Sequence, residues 1–165
     1  MKINKDHMYH GAALTQVAEH HSFKAINAVR SDEGVVSRSA FLINTDVGLF
    51  LKYATKSKGR FKEFVFTFHT EHLEELENLK KKTKKVYISL VCVAASQICC
   101  LPYEIFLKLI AARKRSKGID EESYTILVTV PAGKSFRAYV SPAGKKKVAL
   151  GTEIISRDDF PDMLF

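Results

Sequence analysis

The sequence has no tryptophan, four prolines and only three cysteines among its 165 residues. No apolar run approaches the ~20 residues that a membrane-spanning helix requires, and residues 1–7 lack the apolar core of a signal peptide. Cys92, Cys99 and Cys100 form no CxxC pair. An odd number of cysteines without an export signal predicts reduced, buried thiols in a cytoplasmic protein.

Several enzyme motifs are also missing. There is no GxxxxGK[ST] loop, no GxGxxG turn after a strand and no GxSxG elbow, so nothing indicates ATP, dinucleotide or esterase chemistry. The six histidines form three sequence pairs: His7 with His10, His20 with His21, and His69 with His72. No cysteine or carboxylate completes a zinc pattern and no HExxH occurs, which leaves zinc as an alternative on ligand type alone.

Positive charge is present in excess. Lysine and arginine number 26 against 18 acids, and the formal net charge is +8, which favours an anionic partner such as nucleic acid. The candidate nucleic-acid-binding residues form three clusters: Lys56, Lys58, Arg60 and Lys62; Arg113, Lys114, Arg115 and Lys117; and Lys145, Lys146 and Lys147. Tyr53, Phe61 and Tyr139 offer rings for base stacking. The alternative interpretation is three separate solvated patches.

The length fits one domain, residues 1–165, with a core at about 10–93 and a strand-rich extension at about 97–165. We expect an α/β (α+β) fold in which helices pack on a mixed or mostly antiparallel sheet. Apolar residues recur at helical spacing over residues 10–29. This spacing predicts a first helix, or two short helices if residues 20–22 interrupt it.

The rest of the chain shows alternating apolar residues and turn signals. Strands are predicted at residues 39–44, 49–54, 64–68, 86–93, 98–101, 124–130, 135–140 and 148–155, and helices at about 71–82 and 102–117. The apolar tail, residues 160–165, is predicted to dock on the body, and a partner-binding tail is the alternative.

The order of elements over residues 10–93 is helix, three strands, helix, strand. This order resembles the core of the restriction-endonuclease-like superfamily of PD-(D/E)xK nucleases, in which a carboxylate begins the second strand and an acid-x-lysine pair lies on the third. There the carboxylates hold Mg²⁺ and the lysine assists the attacking water. The resemblance implies four catalytic residues: Asp46, Glu63, Lys52 and Glu19. It also implies that Asp46 and Glu63 bind Mg²⁺ or Mn²⁺. Position 65, where that family has lysine, is Val65, and Lys52 on the neighbouring strand is the substitute.

These observations support three hypotheses. The first is a nucleic-acid-binding protein, including a divergent or decayed metal-dependent nuclease. The alternative is a non-catalytic interaction or assembly module of a bacterial or phage system, self-associating through a sheet edge or the tail. The third is an enzyme that acts on a small anionic substrate in a pocket lined by Lys52 and Tyr53. Residues 10–17 and 99–103 resemble segments of small bacterial proteins, and that resemblance implies no function.

Overall fold

The computed structural model describes residues 1–145 and 148–165, and its first element is helix α1, Lys5–Glu19. Asn4 caps this helix, since its side-chain oxygen accepts a hydrogen bond from the backbone N–H of His7 at 2.9 Å. The prediction of helix through residue 29 was wrong at its C-terminal end. Residues Ile26–Arg30 form strand β1, which pairs with the next strand, because β-branched Ile26 and Val29 suit a sheet and pairing overrides the helical spacing.

Five strands form the first sheet: β1, β2 (Val36–Ile43), β3 (Val47–Ala54), β5 (Lys85–Cys92) and β6 (Gln97–Pro102). They lie side by side in the order β1-β2-β3-β5-β6. Strands β1, β2 and β3 form an antiparallel meander. Strand β5 then joins β3 in parallel, and β6 returns antiparallel to β5. The predicted hairpin between the strands at 86–93 and 98–101 is therefore confirmed.

Four strands form a second sheet: β4 (Phe64–His69), β7 (Ser123–Thr129), β8 (Phe136–Val140) and β9 (Leu150–Ile155). This sheet is fully antiparallel, with the order β4-β7-β8-β9. The predicted third strand of the nuclease-like core, β4, thus lies in a different sheet from β2 and β3. Together with three α-helices in the described residues, the two sheets confirm the predicted single α+β domain.

Helices α2 (Thr70–Lys82) and α3 (Tyr103–Lys117) share one core with the four-stranded sheet and one face of the five-stranded sheet. The opposite face of the five-stranded sheet is covered by α1 and the tail. Because both of its faces are covered, β5 is almost wholly apolar. The predicted docking of the tail is confirmed: Leu164 is 1% exposed, and the rings of Phe165 and His20 stack with centroids 4.1 Å apart. None of the helices in the described residues has the length and apolarity to cross a membrane.

The three cysteines are free and buried, as predicted. Burial raises the pKa of the Cys92 and Cys100 thiols to about 12 and that of Cys99 well above its usual range. A thiol that stays protonated in an apolar core is a poor nucleophile. The cysteines therefore act as small apolar core residues.

Helix α2 packs closely against strand β3 at Gly48. A Cβ atom at position 48 would lie 2.5 Å from Cγ of Leu79, which is 1% exposed. We expect Gly48→Ala to lower the free energy of unfolding by about 1–3 kcal/mol, since the helix must shift to admit one methyl group. Urea unfolding followed by circular dichroism measures this loss.

The double variant Gly48→Ala/Leu79→Ala provides the control. Leu79→Ala alone should cost about 2–5 kcal/mol, because it leaves a cavity. The double variant should cost less than the sum of the two single variants, since the new methyl group occupies part of that cavity. Strictly additive losses would show that residues 48 and 79 are not in contact.

Candidate nucleic-acid interface

The outer face of the four-stranded sheet is built by strand alternation. Phe64, Phe66 and Phe68 point into the core and are at most 4% exposed, so the residues between them point outward. On that face Val65 lies beside Leu127, and Leu127 lies beside Tyr139. Val65 and Leu127 are half-buried, which leaves the face within reach of a ligand.

A pocket of about 630 Å³ lies at one end of this face. Three exposed cations line it, from three separate segments: Lys62 before β4, Lys134 in the turn between β7 and β8, and Arg137 on β8. The ring of Phe61 also lines the pocket and is 52% exposed. The pocket therefore combines positive charge with an accessible aromatic surface.

The loop that carries Phe61 and Lys62 is closed by a backbone bridge between Lys58 and Glu63. The N–H of Lys58 donates to the carbonyl of Glu63 at 2.8 Å, and the N–H of Glu63 donates to the carbonyl of Lys58 at 3.0 Å. Gly59 has φ +70°, which lets the chain reverse inside this bridge. The basic loop predicted from the sequence is thus an ordered turn that presents Arg60, Phe61 and Lys62 together.

Arg157 holds the turn that carries Lys134. Its guanidinium donates to the carbonyl of Lys134 at 3.2 Å and to that of Pro131 at 3.4 Å, and it lies 5.9 Å from the ring centre of Phe136. These contacts fix the backbone beneath Lys134 while leaving the lysine side chain exposed. Arg157 therefore positions a pocket cation.

Glu63 is the single carboxylate among the described residues that line the pocket. Its Oε2 atom accepts a hydrogen bond from the hydroxyl of Tyr139. Burial and this carboxylate raise the pKa of Tyr139, so the phenol remains a donor at neutral pH. The contact turns Glu63 toward the sheet, and it gives the predicted catalytic residue Glu63 a structural role.

The segment just before the third basic cluster packs against helix α3, which ends in the second cluster. The backbone N–H of Ala143 donates to Ser116 near the end of α3 at 2.8 Å, and Arg113 donates to the carbonyl of Ser141 at 2.8 Å. Ser141 and Ala143 therefore lie beside the end of α3, and Val148 lines the pocket together with Lys62. Lys146 and Lys147 lie outside the described residues.

Among the predicted basic residues that the structure describes, Arg113 and Lys114 contact acidic side chains of the fold. Arg113 binds both carboxylate oxygens of Glu121 at 2.8 and 2.9 Å, which raises the pKa of Arg113 and lowers that of Glu121. Lys114 lies 3.6 Å from Asp120 and 5.6 Å from the ring centre of Tyr124. Other members of the clusters are exposed: Lys56, Lys58, Arg60, Lys62, Arg115, Lys117 and Lys145.

The predicted catalytic residues lie in separate places. Asp46 sits before β3, where its backbone carbonyl accepts hydrogen bonds from Lys84 and Lys85. Lys52 is six positions further along the strand, which corresponds to roughly 20 Å. Glu63 lies in the pocket beside the other sheet, and Glu19 is exposed at the end of α1.

The implied Mg²⁺ or Mn²⁺ site does not fit these positions. Asp46 and Glu63 line different pockets. In residues 1–145 and 148–165, no three side chains of the His, Cys, Asp and Glu types are grouped to hold one metal ion. The physical reason is the topology. The resemblance implied that β4, which follows Glu63, lies beside β3, but the strand that pairs with β3 is β5.

Lys52 and Tyr53, which were predicted to line one pocket, lie on opposite faces of β3. Consecutive strand residues point to opposite faces: Nζ of Lys52 lies 5.0 Å from the ring centre of Phe68, on the side of the shared core. Tyr53 packs on the other side against Tyr9, with ring centroids 4.8 Å apart. Tyr53 therefore lies half-buried on the face of the five-stranded sheet that α1 covers.

His10 is a buried histidine between α1 and the five-stranded sheet, and it is 5% exposed. Its Nδ1 atom lies 3.0 Å from the carbonyl of Arg38, so Nδ1–H is the donor. Burial lowers the pKa of His10; the hydrogen bond to the Arg38 carbonyl and the charge of Asp6 oppose this shift, and nearby Lys52 adds to it. Burial and Lys52 likewise lower the pKa of His72.

These shifts predict a pH dependence of stability. The unfolded chain binds a proton at His10 near pH ~6.5, whereas the folded protein binds it only at lower pH. The unfolded state therefore holds more protons in that window, and the free energy of unfolding should fall as pH drops below ~6.5. Urea unfolding at pH 7.5 and 5.5 measures the fall. His10→Gln should reduce it and exposed His21→Gln should not; equal falls in all three proteins would contradict this assignment.

No protein-family model, curated protein or solved structure matches this chain. Sequence reasoning missed Lys134 and Arg137, which stand outside the lysine and arginine runs. The available signal was alternation in the predicted strand 135–140, which places Arg137 and Tyr139 on one face.

Proposed function

We propose that this protein binds nucleic acid through the basic pocket at the end of the four-stranded sheet. The observation that supports the proposal is the convergence of Lys62, Lys134 and Arg137 on one concave surface. Like charges held close together repel one another, and a bound anion relieves that repulsion. The one described carboxylate of the pocket, Glu63, is already hydrogen-bonded to Tyr139.

Phosphate is the anion that this arrangement suits best. Arginine offers a planar pair of donors that matches phosphate oxygens, and lysine adds point charge. Further exposed cations, Lys56, Lys58 and Arg60, continue from the pocket along the same loop. A chain of phosphates can thus contact cations beyond the pocket, whereas a single small anion uses only those inside it.

Fluorescence anisotropy with labelled DNA and RNA oligonucleotides tests the proposal. We expect binding at ~50 mM salt and a linear fall of log affinity with log salt, with a slope of about 0.7 per contacted phosphate for single strands and about 0.9 for duplex. Absence of binding to every oligonucleotide at ~50 mM salt would overturn the proposal, because the electrostatic contribution is strong there.

Nuclease activity stays a prediction within this function. The same oligonucleotides, incubated with Mg²⁺ or Mn²⁺ and separated by size, test it directly. If cleavage occurs and is abolished in Asp46→Ala or Glu63→Ala, that carboxylate participates despite the separation of the two. Cleavage that persists in both variants would exclude both residues from the catalytic site.

A further inference from the structure

The basic pocket has the size and lining of a site for one nucleotide. Ligand pockets of roughly 300–1,000 Å³ enclose molecules of that size, and this one has about 630 Å³. Its apolar wall includes Val130, Pro131 and Val148, and Val148 is 47% exposed. Cations on a flat surface would be enough to bind a phosphate. The concave shape and the apolar wall therefore indicate a ligand that carries an apolar group besides its phosphate.

Phe61 offers a surface on which the apolar group of such a ligand can stack. Its ring is 52% exposed, whereas most aromatic rings are buried in the core. Arg60 and Lys62 flank it in the chain, and the bridge between Lys58 and Glu63 fixes the turn that carries all three. An aromatic ring held beside cations is suited to a nucleotide, because the base can stack on the ring while the cations neutralise the phosphate.

We infer that the pocket receives one unpaired nucleotide of a single strand, with its base against Phe61 and its phosphate at Lys134 and Arg137. The inference rests on the proposed function and narrows it to single-stranded nucleic acid. In a duplex the bases are paired and stacked inside the rod, so a base reaches a concave pocket only after it leaves the stack. A single strand presents its bases without that unstacking energy.

Anisotropy at ~50 mM salt with a single-stranded DNA, the same sequence as RNA, and the corresponding DNA duplex tests the inference. We expect a single strand to bind at least about ten-fold more tightly than the duplex. Phe61→Ala should weaken single-strand binding about ten-fold without changing the salt slope, because it removes stacking and no charge. Phe61→Tyr should retain the affinity, since it retains the ring.

Leu107→Ala is the matched control, because Leu107 is an exposed apolar residue of α3 (45% exposed) and is not among the described residues that line the pocket. It should bind like the wild type. Equal or tighter duplex binding would overturn the inference and leave the proposed function standing. A single-strand preference unchanged by Phe61→Ala would also overturn it, because the base would then lie elsewhere. Absence of binding to all three oligonucleotides would overturn the proposed function itself.

Discussion

Reversing the charges of Lys134 and Arg137 together, as Lys134→Glu/Arg137→Glu, is expected to weaken nucleic-acid binding by at least about 100-fold at ~50 mM salt. Each exposed side chain lines the pocket. Hydrogen bonds to charged groups contribute roughly 1.5–3 kcal/mol each, and roughly 1.4 kcal/mol corresponds to a factor of ten in affinity. The salt slope for a single strand should also fall by about 1.4, since two contacts of about 0.7 each are lost.

The control for this experiment is Lys2→Glu/Lys5→Glu, which makes the same change in net charge at exposed residues near the N-terminus. Neither Lys2 nor Lys5 is among the described residues that line the pocket. We expect this control to keep most of the affinity. Equal losses in the two double variants would mean that net charge, and not the pocket, governs binding. Thermal unfolding of both variants checks that each remains folded.

Phe68→Ala is expected to lower the free energy of unfolding by about 3–5 kcal/mol. Phe68 is fully buried where the two sheets and α3 meet. Its ring centroid lies 4.8 Å from that of Phe106 and 6.2 Å from that of Phe50. The substitution leaves a cavity among these packed rings that the surrounding structure closes only in part. Urea unfolding at neutral pH measures the loss.

Phe61→Ala provides the matched comparison, since it makes the same chemical change at an exposed ring. Its effect on stability should stay within about 0.5 kcal/mol, as for most surface substitutions. Phe61→Ala is thus expected to impair single-strand binding without impairing folding. Comparable losses of stability in the two variants would contradict the assignment of Phe68 to the core and Phe61 to the surface.

The sequence predicted most of the elements because their signals are local. Alternation placed Phe64, Phe66 and Phe68 on one face, and they are buried together. The helix at about 71–82 and the apolar strand after it were correct to within a residue or so. The strand at 26–30 was missed, because it is stabilised by pairing with β2. Several of the paired residues are more than ten positions apart in the sequence.

The candidate site was only partly predictable. The basic loop at 56–62 and the ring of Phe61 were found from composition, because charge and aromatic residues are visible in any sequence. Lys134 and Arg137 were not found, since neither belongs to a run of basic residues. The fold brings them close to Lys62, because the turn before β8 approaches the loop before β4. Asp46 and Glu63 were grouped through an expected sheet neighbour that the fold does not provide.

By itself, the sequence determined most of the strands and helices, the faces that they bury and the positive net charge, because hydrophobic periodicity and charge belong to short stretches. Tertiary structure alone decided that β4 crosses to a second sheet and that β5 takes its place beside β3. That choice depends on how the phenylalanine face of β4 and the two following helices fill one shared core. It is also what separates Glu63 from Asp46 and brings Glu63 beside Lys62, Lys134 and Arg137 in the pocket.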